Sequence, residues 1–158
     1  MDIQIIEHIK ETLSVVIQCN KIDDEVMRLK SHIESFDNKL YAQKDGTQFW
    51  VNLSEVLYFE SVDNHTFLYT QEDVMEIKQR LYELEEILSD KDFVRISKSL
   101  IVNINKIRSL KPELNRTILV TLCNGELLYI SRKYVPFVRK LFCLLYTSDA
   151  ADDRISVD

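Results

Sequence analysis

The spacing of apolar side chains predicts a helical extension at the start of the chain. From Asp23 onwards, apolar residues recur at intervals of three and four positions, which places them on one stripe of a helix: Val26, Leu29, Ile33 and Phe36. Asp23 or Asp24 can accept hydrogen bonds from the free amides of the first helical turn. The preceding runs IQII and LSVVIQ mix apolar and polar residues in the manner of one or two edge strands. Residues 1–35 are therefore expected to form an extension, strands plus helix, that packs on the main domain.

After this extension the apolar pattern changes to short β-strands separated by turn residues. The run KLYAQKDGTQFWV predicts a hairpin that turns at Lys44-Asp45-Gly46-Thr47. SEVLYFESVDNHTFLYTQ predicts two more strands on either side of Val62-Asp63-Asn64-His65. Asn124-Gly125 is the strongest hairpin signal in the chain, because it separates two runs of β-favouring residues. The sequence therefore predicts a mostly β (α+β) fold.

Two short helices are expected within the strand-rich region. The first covers about Glu76 to Leu88, with the apolar face formed by Ile77, Leu81, Leu84 and Leu88, and with Lys78, Arg80, Glu83 and Glu85 mostly on the other face. The run FVRISKSLIVNINKIRSLKPE then gives two or three extended pieces with basic residues between them. Ser131 can cap the last helix, whose apolar face includes Val135, Val138 and Phe142.

Length and composition argue against several classes of protein. The 158 residues suit one domain with a short extension. No apolar run approaches the roughly 20 residues that span a bilayer, and the N-terminus lacks a signal-peptide pattern. We therefore expect a cytoplasmic protein that is not itself membrane-embedded. The three cysteines show no metal-ligand spacing, and no nucleophile with a base or glycine-rich phosphate loop is present. We expect no catalytic residue, no metal and no cofactor, hence not an enzyme.

Charge is divided unevenly along the chain, whose formal net charge is −6. Residues 1–90 contain 8 Lys and Arg against 19 Asp and Glu, whereas residues 91–142 contain 11 Lys and Arg against 3 Asp and Glu. A basic segment of this kind is typical of a surface that faces phosphates. Charge alone fits a merely solvated basic face equally well.

Residues 143–158 do not continue the pattern before them. The run CLLYTSDAAD is similar to one reading frame of a transposon-derived adapter used in sequencing libraries, and the segment is rich in Asp and Ala without periodicity. We interpret residues 143–158 as a sequencing or cloning scar and leave them out of the fold. A natural disordered acidic tail is the alternative. If the segment is a scar, the gene's own final residues are missing.

Four strings in the strand-rich region resemble the LytTR family of bacterial DNA-binding output domains. They stand in the family's order: VLYFES (Val56 to Ser61), RLYELEEIL (Arg80 to Leu88), FVRISKSLIVNINKI (Phe93 to Ile107) and LLYISRKYV (Leu127 to Val135). The resemblance implies an elongated arrangement of small antiparallel sheets over residues 36–142, with flanking short helices. It also implies a transcription regulator that inserts loop side chains into successive major grooves of double-stranded DNA and pairs on direct repeats.

The chain departs from the family in one respect. Many members carry an N-terminal phospho-receiver domain, and the residues ahead of Phe36 leave no room for one. The sequence therefore resembles the short, stand-alone regulators of the family, which often occur beside a small membrane protein. We expect no receiver domain, a homodimer on DNA as a candidate state, and a small membrane protein as a candidate partner.

Three loops carry the donors that a base-reading protein needs at its loop tips. The resemblance makes three residues candidates for base contacts: His65, Lys98 and Lys133. Six further residues are candidates for phosphate or groove contacts: Asn64, Arg95, Ser97, Ser99, Lys106 and Arg132. Each has a plainer interpretation, since a turn residue can be chosen for its backbone and a lysine can simply be solvated.

Arg132 and Lys133 carry an argument that does not depend on the family. Cations in the first turn of a helix oppose the helix dipole. Their placement is reasonable if the helix N-terminus faces a phosphate, because the backbone amides and both cations then converge on one anion. Asn103, by contrast, is expected to be a structural hydrogen bonder rather than a reader of DNA.

A protein-interaction module is the alternative function. In this hypothesis the acidic half of the chain, residues 1–90, docks a regulator or a membrane partner. Strong salt dependence and loss of binding on Lys98→Ala would indicate DNA recognition. Salt-insensitive pairing through the N-terminal helix would indicate docking.

Overall fold

The computed structural model describes residues 1–7 and 14–148, with side chains through Phe142. The chain divides into two units, Met1–Asp37 and Asn38–Asp158. The helices are α1 (Asp24–Asp37), α2 (Leu81–Ile87) and α3 (Val135–Ser148). The strands are β1 (Lys39–Lys44), β2 (Thr47–Asn52), β3 (Val56–Val62), β4 (His65–Thr70), β5 (Val74–Ile77), β6 (Phe93–Ser97), β7 (Leu100–Asn103), β8 (Ile107–Pro112), β9 (Ile118–Leu122) and β10 (Leu127–Ile130).

The first unit contains helix α1. The helix begins directly after Asp23, whose Oδ1 accepts a hydrogen bond from the amide of Val26 at 3.0 Å, so the predicted cap is confirmed. The edge strands expected before it do not form in residues 1–7 or 14–23. A strand is stable when a neighbour completes its backbone hydrogen bonds, and the described part of this unit offers no such neighbour. The rest of that prediction falls on residues 8–13, which lie outside the described residues.

The second unit is built from two antiparallel sheets. The larger sheet has seven strands in the order β2-β1-β5-β4-β3-β7-β6, and the smaller has three in the order β10-β9-β8. Consecutive strands pair as hairpins in both sheets, as in β1 with β2 and β3 with β4. The mostly β fold with a few helices is confirmed.

The interior strands β3 and β7 of the larger sheet are buried on both faces. Successive side chains of a strand point to opposite faces, yet Ile101 and Val102 of β7 are both buried. Ile101 belongs to a core shared with Phe59 and the apolar side of α2. Val102 belongs to a second core, which includes β9 and the start of α3. The larger sheet therefore separates two cores, and β3 and β7 contribute to each.

A buried side-chain amide joins these two interior strands. Asn103, at the end of β7, is 3% exposed. Its Nδ2 donates to the carbonyl of Val56 at 2.8 Å, and its Oδ1 accepts from the amide of Asn105 at 3.0 Å. The prediction that Asn103 is a structural hydrogen bonder is confirmed.

The three predicted hairpins all form; the first two share one kind of turn and the third has another. Asp45 and Gly46 both have positive φ values, 50° and 77°. Asp63 and Asn64 also have positive φ values, 50° and 65°, without the help of a glycine. Between β9 and β10, Gly125 has a φ of 91° and donates its amide to the carbonyl of Leu122 at 2.9 Å.

Helix α2 begins later than the apolar pattern predicts. It starts at Leu81 rather than Glu76, because Glu76 and Ile77 belong to β5, where Ile77 pairs with Thr66 of β4. Ile77 and Leu81 nevertheless bury their side chains in the same core. The four-residue spacing of Ile77 and Leu81 fits one face of a helix. In the structure, however, Ile77 ends a strand and Leu81 begins the helix that follows it.

Helix α3 also differs from the prediction at both ends. It begins at Val135 rather than directly after Ser131, and its backbone continues through Ser148. The helix thus enters the segment interpreted as a scar, residues 143–158. Residues 149–158 lie outside the described residues, so the interpretation of that segment stays a prediction.

The edge strand β2 carries the chain's single tryptophan. Trp50 is 60% exposed, and its ring lies edge-on to the ring of Tyr41, with centroids 4.6 Å apart. The two residues are directly opposite each other on β2 and β1, and the Tyr41 hydroxyl donates to Gln48 at 2.7 Å. Cross-strand aromatic pairs of this kind stabilise a sheet even at its surface.

Replacing Asn103 by alanine is expected to destabilise the protein by about 1–3 kcal/mol, because the buried carbonyl of Val56 and the amide of Asn105 lose their partner. Urea denaturation of the full chain measures the change. Asn105→Ala is the matched control, since it removes an exposed bond to Asp92 at 3.0 Å and should cost less. Equal costs for the two variants would contradict the importance of the buried amide.

Candidate nucleic-acid interface

The first two turns that hold predicted site residues lie at one end of the larger sheet. β3 ends at Val62, and the turn after it contains Asn64. β7 runs antiparallel to β3, so the turn that precedes β7, with Lys98, lies at the same end. The amide of Ser61 donates to the carbonyl of Ser99 at 2.9 Å, which holds the two turns side by side.

The third predicted loop joins this end through β6. The amide of Ser131 donates to the carbonyl of Ile96 at 2.9 Å. Ser131 opens the turn that contains Arg132 and Lys133, and both side chains are exposed. Ile96 stands just before the turn that carries Lys98. The structure therefore brings the turn of Lys98 and the turn of Lys133 together at the end of β6.

Arg95 holds the Lys98 turn in place. Its Nε donates to the carbonyl of Ser97 at 3.0 Å, and Nη2 donates to the carbonyl of Lys98. Nη1 pairs with the Glu85 carboxylate, and the arginine side chain is only 18% exposed. The sequence suggested Arg95 for a phosphate contact. In the structure, each of its three guanidinium nitrogens donates one hydrogen bond to the protein itself. We assign it the role of a positioning residue.

The serines on either side of Lys98 also support the turn. The amide of Ser99 donates to Ser97 Oγ at 3.2 Å, and the two hydroxyl oxygens are 3.4 Å apart. Both serines are half-buried, whereas Lys98 is exposed. The turn is thus closed by its own side chains and offers its lysine to the solvent.

Glu85 is a residue that sequence reasoning missed. It lies on α2, on the face that the helical pattern assigns to solvent, and its side chain is 47% exposed. Its Oε1 nevertheless accepts from Arg95, which contacts the Lys98 turn. No local pattern signals this pair, because the partners lie ten positions apart on different elements. Helix α2 therefore supports the end of the sheet at which the turns meet.

His65 is exposed but has a partner. Its Nδ1 lies 2.6 Å from Oε1 of Glu76 on β5, and its side chain is 61% exposed. Asn64, the residue before it, offers its carbonyl to the guanidinium of Arg80. The hairpin tip is therefore fixed by two contacts to the segment between β4 and α2, and the imidazole remains accessible.

Arg132 and Lys133 lie in the turn before α3, not in the first turn of the helix. The amides of Tyr134 and Val135 both donate to the carbonyl of Ser131, at 2.9 and 3.2 Å. These two amides are occupied and do not point to an external anion, so the expected convergence of helix amides and cations on one anion loses these two donors. The Nζ of Lys133 lies 5.8 Å from the centroid of the Tyr134 ring.

Lys106 is not brought to this end of the sheet. It closes a short 3-10 turn, Ile104–Lys106, which follows the opposite end of β7. Its carbonyl accepts a hydrogen bond from the amide of Cys123 at 2.8 Å. Among the nine predicted site residues, Lys106 thus lies at the opposite end of β7 from the Lys98 turn.

The described residues contain no cluster of His, Cys, Asp and Glu that could hold a metal ion. Among the same residues, no helix is both long and apolar enough to cross a membrane.

Comparison with known proteins decides the family. The profile of the LytTr DNA-binding domain matches residues 46–142, more than half of the chain, and this range contains every strand and turn of the interface. The chain belongs to the LytTr DNA-binding domain family. The family is a DNA-binding domain of transcription regulators, which are not enzymes, and double-stranded DNA is the partner that membership implies.

Individual relatives agree with this assignment. An uncharacterized HTH-type transcriptional regulator of Staphylococcus aureus strain MSSA476 is 31% identical over 143 residues, which is 89% of this chain and 97% of that protein. The sensory transduction protein LytT of Bacillus subtilis is 24% identical over 135 residues, and the match covers 85% of this chain but 55% of LytT. A solved LytTr DNA-binding domain from Bacillus cereus has a TM-score of 0.64 and 30% identity, covering 66% of this chain and 96% of that one.

Replacing Arg95 by lysine is expected to loosen the turn around Lys98 without unfolding the domain. A single ammonium cannot hold two carbonyls and the Glu85 carboxylate in the way a planar guanidinium does. Backbone amide hydrogen exchange at Lys98 and Ser99 should become faster, and the free energy of unfolding should fall by about 1 kcal/mol.

The control for this variant is Arg108→Lys, on the exposed side of β8. It should change neither the exchange at Lys98 and Ser99 nor the free energy of unfolding. Unchanged exchange at Lys98 and Ser99 in the Arg95 variant would show that Arg95 does not position the turn.

Proposed function

We propose that the chain is a sequence-specific transcription regulator that reads double-stranded DNA with the turns at this end of its LytTr domain. One observation supports this most strongly. The exposed cations Lys98 and Lys133 lie on two turns that the Ile96–Ser131 hydrogen bond holds together. Reading a base sequence requires donors on a rigid scaffold, because base edges are recognised through hydrogen bonds of defined geometry in the groove.

The proposed roles follow the chemistry of each side chain. Lys98 and Lys133 are proposed to donate to acceptors on base edges, of which guanine O6 and N7 suit a lysine best. His65, at the neighbouring hairpin tip, is proposed as the third base contact. The exposed guanidinium of Arg132 suits a phosphate oxygen. Three residues with short side chains beside the base contacts are proposed to donate to phosphate oxygens too: Asn64, Ser97 and Ser99.

The charge distribution supports the same orientation on DNA. The segment that supplies Lys98 and Lys133, residues 91–142, carries 11 Lys and Arg against 3 Asp and Glu. Phosphate contacts from such a segment supply affinity that falls as salt rises. The acidic residues of the remainder keep the net charge at −6, which limits non-specific attraction to nucleic acid.

The proposal includes two copies on a direct repeat, with loops in successive major grooves. Major grooves on one side of B-DNA recur about every 10 base pairs, so half-sites are expected at that spacing or a multiple of it. Because it acts on the chromosome of a bacterium, the protein is proposed to work in the cytoplasm.

Lys98→Ala and Lys133→Ala are each expected to relax specificity at one base position, by about 1–3 kcal/mol of discrimination. Selection of sequences from a random duplex pool by the full chain, followed by affinity measurements at two salt concentrations, measures this. Lys106→Ala is the matched control, since it removes the same charge at the opposite end of β7. It should leave the selected sequence unchanged.

A folded protein that selects no sequence, even at low salt, would reject the proposal. The docking hypothesis would then be tested next, with the full chain as bait for a regulator or a small membrane protein and its acidic residues 1–90 as the expected docking surface. Pairing that is insensitive to salt would support docking in place of DNA recognition.

A further inference from the structure

The turn between β8 and β9 places an arginine in a backbone conformation that arginine rarely adopts. Arg116 has a φ of 67°, in the left-handed region that glycine occupies at no steric cost. Its amide donates to the carbonyl of Glu113 at 3.2 Å, and the amide of Glu113 donates to the carbonyl of Thr117 at 2.9 Å. Three-residue hairpin turns of this form favour glycine at the left-handed position. An arginine there reduces stability relative to glycine.

Arg116 shares a notch with a second arginine. The notch has a volume of about 430 Å³ and is lined by Leu114, Asn115, Arg116, Thr117 and Arg132. None of these lining residues is acidic. The ion pairs formed among the described residues use other cations: Lys30, Lys44, His65, Lys91 and Arg95. Arg116 and Arg132 therefore line one concave site without a carboxylate to neutralise them.

Two like charges that line one site repel each other, and an anion between them removes the repulsion. A guanidinium offers several N–H donors in a planar fork that matches phosphate oxygens. The Oδ1 of Asn115 accepts from the amide and the hydroxyl of Thr117, at 3.2 and 2.5 Å, so this acceptor is occupied within the turn. The side-chain NH2 of Asn115 is a separate group that can donate to an anion. The notch thus has the charge and the donors of a phosphate site.

The pairing of β8, β9 and β10 places this notch beside the proposed DNA interface. Ile130, the last residue of β10, pairs with Ile118, the first residue of β9, which in turn pairs with Pro112 at the end of β8. The β8–β9 turn therefore lies at the same end of the smaller sheet as Ser131. Ser131 is bonded to Ile96 beside the Lys98 turn.

We propose that Arg116 and Arg132 form a notch that binds a backbone phosphate of the DNA, next to the groove that Lys98 and Lys133 enter. The inference rests on the proposed function and adds a contact that positions the domain on the duplex without reading sequence. It also explains why an arginine stands where a glycine would be more stable. The guanidinium is retained for binding at a cost to the fold.

Because the backbone at Arg116 is strained, a single variant can separate an effect on stability from an effect on DNA binding. Arg116→Gly removes the cation and relieves the left-handed φ, so the full chain should have a Tm equal to or above that of the unchanged protein. Its affinity for the selected duplex should nevertheless be about five- to tenfold weaker, and the slope of log K against log salt should be smaller by about 0.9, as for one lost phosphate contact. The loss should be the same for matched and mismatched duplexes.

Two further variants serve as controls. Arg116→Lys keeps the charge and the strained φ, and should retain most of the affinity with a Tm near that of the unchanged protein. Arg108→Ala removes one exposed cation near the start of β8, at the opposite end of the smaller sheet from the notch. It should leave both the affinity and the salt slope nearly unchanged.

The outcomes distinguish this inference from the proposed function. If Lys98→Ala weakens selective binding while Arg116→Gly changes neither the affinity nor the salt slope, the notch proposal is overturned and the proposed function stands. Equal losses for Arg116→Gly and Arg108→Ala would also overturn the notch proposal, because net charge alone would then account for the effect. If the unchanged protein binds no duplex at any salt concentration, both proposals are overturned.

Discussion

Burial of β3 and β7 on both faces is the constraint on which the rest of the structure depends. A strand shifted by one residue exchanges its two faces. Ile101 and Val102 belong to different cores, so such a shift would place each side chain in the core that fits the other. The hydrogen bond from Asn103 to Val56 holds the same register at one end of the pair. Because the register of β3 and β7 is fixed, the relative positions of the turns at the other end of these strands are fixed as well.

The same constraint explains how a small domain can present a lysine in a defined position. Arg95 and Lys98 are three positions apart and carry the same charge, but they have different roles. Arg95 satisfies two carbonyls and the Glu85 carboxylate from within the turn, whereas Lys98 is left exposed. A count of basic residues therefore overstates the charge available to DNA, because part of it is neutralised inside the protein.

The features that could be predicted from the sequence are those whose causes are local. The Asp45-Gly46 and Asn124-Gly125 hairpins are determined within a few residues, and so is the exposure of Lys98 on its turn. Lys133 was expected in the first turn of the last helix but lies in the turn before it. The start of α2 was not predictable, because the spacing of Ile77 and Leu81 fits a single helix as well as a strand followed by a helix. The Arg95–Glu85 pair and the remote position of Lys106 depend on how strands and helices meet. These tertiary contacts join residues that are distant along the chain, so the local sequence does not reveal them.

The exposed tryptophan on the edge strand gives the protein an intrinsic optical probe. Trp50 is the chain's single tryptophan and lies on β2, at the opposite edge of the seven-stranded sheet from β6. Its fluorescence should have the long-wavelength emission of a hydrated indole, and any molecule that covers this edge should shift the emission to shorter wavelengths. Several strands separate Trp50 from the turns of Lys98 and Lys133. Its emission therefore reports on events at the β2 edge separately from events at those turns.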